Sequence, residues 1–175
     1  MRRLFAVGVL LIAAGCTTEP LSEPLPPPEP SAVPTLPDVA EPVSVTGLDP
    51  CAAVDVDTLL LLELPEAGTP ITYSDGTSCE WEKDGSTGRR LVVTMVERDP
   101  AATYIDMPGA EVVDVDGFPA VIGPGKHTHR CQFSVRTMSN SGYTVGYGAA
   151  DGDVEKPCGV ARQVAVQVAA KLRDR

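Results

Sequence analysis

Four cysteines, Cys51, Cys79, Cys131 and Cys158, are spread over the later two-thirds of the chain, and the compartment the chain reaches decides what they can form. The amino terminus answers that question. Met1-Arg2-Arg3 is a short positive start, residues 4–14 are an apolar stretch, and Ala13-Ala14-Gly15 places small residues directly before Cys16. That order is a secretory signal, and the cysteine after the small residues makes it the lipoprotein type. Eleven apolar residues reach only about 16 Å as a helix against ~30 Å of hydrocarbon, so residues 1–15 read as a removed leader and not as a span.

Export places the four cysteines in an oxidising environment, where an even number predicts two disulfides. No two of them have Cys-x-x-Cys spacing, so neither a redox motif nor a zinc knuckle is indicated. Three connectivities are possible. Cys51–Cys79 with Cys131–Cys158 is favoured, because each bridge would join a helix start to a neighbouring strand across a similar chain separation. Closing loops of about 28 residues stabilises a fold by roughly 3.5 kcal/mol each in the chain-entropy model.

Cys16 is expected to be the lipidated first residue of the mature chain. Two or three acyl chains, palmitate among them, hold a protein to a bilayer where a single chain holds it only marginally. Losing the leader removes Arg2 and Arg3 from the 14 basic residues, leaving 12 against 24 acidic ones. Such acidity excludes a nucleic-acid partner and electrostatic attachment to anionic lipid, so the anchor must be covalent. Nine prolines lie within residues 19–42. Fixed φ angles and missing amide donors prevent helix or sheet there and favour extended polyproline II. Residues 16–45 therefore read as a disordered stalk, able to hold the folded part up to about 80 Å from the membrane. Residues 46–175 have the size of a single globular domain.

Within that domain Asp49-Pro50-Cys51 places a capping carboxylate before a proline at the first helical position, and Asp55-Val56-Asp57 offers a second start running through residues 59–64 to Pro65. Two short helices in series are predicted. Cys79-Glu80-Trp81-Glu82 and residues 91–96 alternate as a hairpin across a loop rich in glycine. Asp99-Pro100 opens a short helix. Residues 111–122, 131–135 and 143–147 are further strand-like runs, punctuated by glycines. Near the end, Val160, Ala161, Val164, Ala165, Val168, Ala169 and Leu172 line one helical face. Such a helix needs an apolar partner. The expectation is a two-layer α+β domain, with an antiparallel sheet packed against short N-terminal helices and a C-terminal helix and stapled by two disulfides.

Asp49-Pro50-Cys51, Cys79-x-Trp81, Gly117-Phe118-Pro119-Ala120-Val121, Cys131 in a strand-like run and Cys158 opening an Ala/Val-rich helix together resemble the DUF3558 lipoproteins of actinobacteria. The resemblance covers residues 46–172. It implies an anchored extracytoplasmic protein of this fold and carries over no catalytic residue.

The chemistry-bearing residues are few. His127, His129 and Cys131 stand at i, i+2 and i+4, a metal-ligand spacing on a strand, but Cys131 is better used in a disulfide and the histidines fall in a loop. Asp114, Asp116, Asp151 and Asp153 suggest calcium only weakly, since the remaining ligands of a calcium loop do not follow. No nucleophile elbow, phosphate loop or dinucleotide fingerprint is present. Trp81, on an alternating strand beside Cys79, reads as core. No cofactor is indicated. Two functions are carried forward: a non-catalytic module that binds a small ligand or another envelope protein while the lipid holds the membrane, or an envelope hydrolase using carboxylates in a cleft. The second requires convergent carboxylates of shifted pKa in a concave site. The first predicts a groove or exposed patch without them.

Overall fold

Alternation along the chain becomes one seven-stranded sheet in which every neighbouring pair is antiparallel. The computed structural model describes residues 34–83, 88–123, 130–149 and 155–175. Its strands are β1 (Thr69–Tyr73), β2 (Gly76–Glu82), β3 (Arg90–Val96), β4 (Glu111–Val115), β5 (Phe118–Ile122), β6 (Arg130–Met138) and β7 (Ser141–Gly148). Their order across the sheet is β1-β2-β3-β7-β6-β5-β4. Two meanders, β1 to β3 and β4 to β7, are thus joined by the pairing of β3 with β7.

The period of two puts large apolar side chains on one face of this sheet. Cys79, Val93, Val145 and Phe133 are register partners in one cross-strand row, and Trp81, Leu91, Tyr147 and Cys131 form the next. All are buried. The C-terminal helix, α3 (Glu155–Arg173), covers this face with Ala161, Val164, Ala165, Val168, Ala169 and Leu172, as the helical spacing predicts. Alanine and valine on α3 let it lie close against Phe133 and Tyr143. Tyr143 donates its hydroxyl proton to the Ala165 carbonyl at 2.7 Å. Burial pushes its phenol well above the ordinary 10.0 and keeps it a neutral donor.

The other half of the inner face is covered by a 3-10 turn at Pro50–Ala52, and α1 (Val56–Leu61) follows it, burying Leu59 in the core and joined to α3 through Gln167 Nε2, which donates to Thr58 Oγ1. Asp49 caps the turn, accepting from the Cys51 amide at 2.9 Å. The run of residues 59–64 stops at Leu61, short of the expected Pro65. Glu63 takes φ 54°, Leu64 N donates to Leu59 O at 2.9 Å and Glu63 N to Leu60 O at 3.0 Å, a Schellman ending formed with a glutamate where glycine is usual. Lys83 at 2.8 Å and Arg89 at 3.2 Å hold that carboxylate.

Three further differences from the sequence reading have physical causes. Strand β1 was not expected. It contains Pro70, which a sheet tolerates only at an edge, and the edge is where β1 lies. Residues 111–122 are a hairpin, split at Asp116 (φ 53°) and Gly117 (φ 82°), the Asp-Gly pair of a type I′ turn. The folded body also begins inside residues read as stalk. Val45 is buried, Val39 and Val43 pack on the core, and Val43 N donates to Thr137 O at 3.0 Å. Apolar β-branched residues between the prolines find a surface to bury against, which composition alone does not reveal.

Among the described residues no helix is long and apolar enough to cross a membrane. The cysteines pair as Cys51–Cys79 and Cys131–Cys158, across 28 and 27 residues. Each bridge ties a helical cover to a strand beneath it. Replacing Cys51 and Cys79 together with alanine is expected to lower unfolding free energy by about 3.5 kcal/mol, measured by urea denaturation. A loss below about 1 kcal/mol would show that the cover seats itself without the bridge.

Candidate functional site

The other face of the sheet carries the alternate residues of the same strands, and only part of it is covered. Helix α2 (Pro100–Tyr104) lies over one end. Its start is fixed by Asp99, whose Oδ1 accepts from the amides of Ala101 (3.0 Å) and Ala102 (3.2 Å) while Oδ2 accepts from Arg136 Nε (2.7 Å). Pro100 sits so close to β7 that a Cβ on Gly142 would come within 2.8 Å of its ring. Past α2 no described element lies over the sheet, and a groove of about 570 Å³ is found there.

Val92, Thr94, Gln132, Thr144 and Gly146 make the groove floor, and Tyr73 and Tyr104 stand at its sides. Gly146 has Val92 and Gln132 as its register partners, and Gly148 has Arg90 and Arg130. The polar atoms of the floor have defined roles. Ser78 Oγ donates to Val93 O at 3.1 Å, so in its 2.8 Å contact with Thr94 Oγ1 the threonine is the donor. Thr94 then presents only lone pairs to the groove. Gln132 Nε2 donates to Ser134 Oγ at 3.3 Å, leaving its carbonyl oxygen as an acceptor.

Charge at the groove comes from Arg90, Arg98, Arg130 and Asp75. Arg98 Nε holds Asp75 Oδ2 at 2.8 Å. Arg90 is gripped by Glu80 through two parallel bonds, Nε to Oε1 at 2.5 Å and Nη2 to Oε2 at 2.8 Å. These hydrogen bonds hold the Glu80 carboxyl below its ordinary 4.5, against an opposing desolvation, and raise the Arg90 guanidinium correspondingly. Arg130 is exposed at the mouth.

None of the residues singled out from the sequence lines this groove through its side chain. Cys16, His127, His129, Asp151 and Asp153 lie outside the described residues. Cys131 is bonded to Cys158 and has no thiolate to offer a metal. Asp114 Oδ1 accepts from Gly117 N at 2.9 Å and Asp116 Oδ2 pairs with Arg173 at 2.6 Å, so both shape the β4–β5 turn and its tie to α3. Among the described residues no three His, Cys, Asp or Glu side chains cluster as metal ligands. Trp81 is fully buried, against the Cys79 sulfur and Gly68. The groove residues were missed because they are ordinary strand residues. Their one visible signal was Thr144, Gly146 and Gly148, small groups alternating with Tyr143, Val145 and Tyr147.

A family model described as a protein of unknown function (DUF3558) matches residues 11–171. The chain belongs to the DUF3558 family. It matches no curated protein and no solved structure. The matched span takes in Cys16 and the proline-rich run as well as every strand of this DUF3558 domain.

Because the folded state depresses the Glu80 pKa, its pair with Arg90 contributes stability above pH 4.5 and loses it as pH falls through the lower folded value. Glu80→Gln is expected to cost no more than about 1 kcal/mol at pH 7, since solvent reaches the arginine. The gap between wild type and variant should close below pH 4.5, as read from denaturant midpoints at a series of pH values. A gap independent of pH would refute the assignment.

Proposed function

We propose that this DUF3558 member is a cell-envelope lipoprotein of the actinobacterial kind, anchored through Cys16 on the extracytoplasmic face of the membrane. Its domain binds a small ligand or another envelope protein without catalysing a reaction. Residues 1–15 are its signal peptide, the proline-rich run is its spacer, and the outer-face groove is its binding surface. The leader pattern ending at Cys16 supports the anchor, and the family match beginning at residue 11 takes in that cysteine. Two structural disulfides suit a protein matured on the oxidising side.

One observation carries the binding reading. The groove has the volume of a small-ligand site, yet among the described residues its lining supplies a single carboxylate, Asp75, already held by Arg98. Hydrolysis by paired carboxylates needs two such groups flanking the scissile bond, roughly 5–9.5 Å apart. The groove instead offers aromatic sides, hydroxyl and amide groups, and arginines, which are groups for recognition.

Two experiments test this. Cys16→Ser should move the protein from the membrane fraction to the soluble fraction of cells. Retention at the membrane would refute the lipid anchor. A photo-reactive residue at Gln132 should give a crosslinked species on intact cells that a residue at the exposed Val166 does not. Equal crosslinking from both positions would remove the groove as the binding surface.

A further inference from the structure

The groove leaves its most central position empty. Gly146 lies in the middle of β7, flanked by strands on both sides, where glycine weakens a strand and a β-branched residue is the usual choice. Its own fold does not demand this. A Cβ built on Gly146 meets no atom within 4 Å, whereas one on Gly142 would strike Pro100. Packing within the chain explains Gly142 and does not explain Gly146. Between Val92 and Gln132, the bare backbone of Gly146 forms a slot in the floor that suits a ring laid close against it.

The polarity of the lining narrows what that ring bears. Thr94 and Gln132 line the groove with a hydroxyl oxygen and an amide whose carbonyl and second hydrogen are unused by Ser134, a set that suits hydroxyl groups on the ligand. At the mouth the sign reverses. In a chain of net charge −10, the described lining carries three arginines and one carboxylate. Asp75 occupies Arg98 and Glu80 occupies Arg90. Arg130 makes no ion pair with the described residues and is exposed beside Gly148. An exposed guanidinium at a polar groove, in a protein otherwise rich in carboxylates, complements an anion.

We propose that the groove binds a sugar-sized polyol bearing one anionic group, with the ring over Gly146, its hydroxyls donating to Thr94 and Gln132, and the anion at Arg130. Tyr73 and Tyr104 flank the ring. A uronic acid and a sugar phosphate share this chemistry. The inference rests on the groove being the binding surface of the domain, and it adds the class of ligand.

Calorimetric titration of the full-length protein in detergent tests it, with glucuronate, glucose 6-phosphate and neutral glucose as probes. At least one anionic sugar should bind at least about tenfold more tightly than glucose, and whichever binds assigns the anion as carboxylate or phosphate. Arg130→Gln should abolish that preference, while Arg162→Gln, an equal charge change on the exposed side of α3, should not. Gly146→Phe should abolish binding of the anionic sugar without lowering the Tm, because the ring enters open space. Neutral glucose binding as tightly as the anionic sugars would overturn the proposal, as would a preference that survives Arg130→Gln. If neither anionic sugar binds while the Gln132 crosslink still forms on cells, the ligand class is wrong and the groove reading stands. If the crosslink also fails to depend on the groove, both fall.

Discussion

Everything else in this fold depends on burying one face of the sheet. Seven strands present Trp81, Leu91, Phe133, Tyr143 and their neighbours on a single side, and a sheet of that kind is stable only when something apolar lies on it. The chain supplies two unequal covers. Helix α3 has 19 residues and a continuous apolar stripe, longer than the ~12–15 residues below which a helix is marginal. The N-terminal cover is a three-residue turn and a six-residue helix, far below the length at which a helix persists without tertiary support. Cys51–Cys79 compensates for that shortfall by fixing the weak cover to β2. The second bridge fixes the opening turn of α3 to β6, so each half of the inner face is bolted once.

Covering one face so fully leaves little of the chain to cover the other. The strands must alternate, so a row of large inward residues implies a row of outward ones, and α2 is too short to hide them. Its position is set by a clasp. Arg136 and Asp99 meet at 2.5 Å with side chains only 17% and 12% exposed, and the second oxygen of Asp99 caps α2. Arg136 also donates to Pro37 O at 3.4 Å, which draws the segment before the domain into the same knot. A half-buried pair with both carboxylate oxygens engaged resists displacement, because separating it leaves two poorly solvated charges without partners. The groove wall formed by α2 is therefore a fixed edge and not a loose flap.

Much of this was legible in the residues. Asp-Pro pairs at 49–50 and 99–100 marked helix starts, the Val/Ala spacing marked α3, and the cysteine spacings pointed to the pairing that forms. What escaped shares one cause, which is that tertiary contacts overrode local signals. Pro70 argues against a strand until an edge position removes the need for its amide hydrogen. Val39, Val43 and Val45 look like stalk until a core is present to receive them. Glu63 adopts a glycine conformation at the end of α1, and its carboxylate meets Lys83 and Arg89, twenty and more residues away. The groove was least legible of all. Arg90 and Arg130 are 40 positions apart in the sequence and become neighbours of Gly148 only through the pairing of β3, β7 and β6.

That same pairing connects the disulfide to the groove. Cys131 faces inward between Arg130 and Gln132, which face outward, so the bond to Cys158 holds the strand from directly behind the groove floor. Trp81, Leu91 and Tyr147 complete the row that backs it, and all are buried at 3% exposure or less. A floor supported in this way has little freedom to lose when a ligand arrives, and avoiding that loss is the main way a small site gains affinity. The rigidity of the floor comes from inside, and the bridge behind β6 is where the structure provides it.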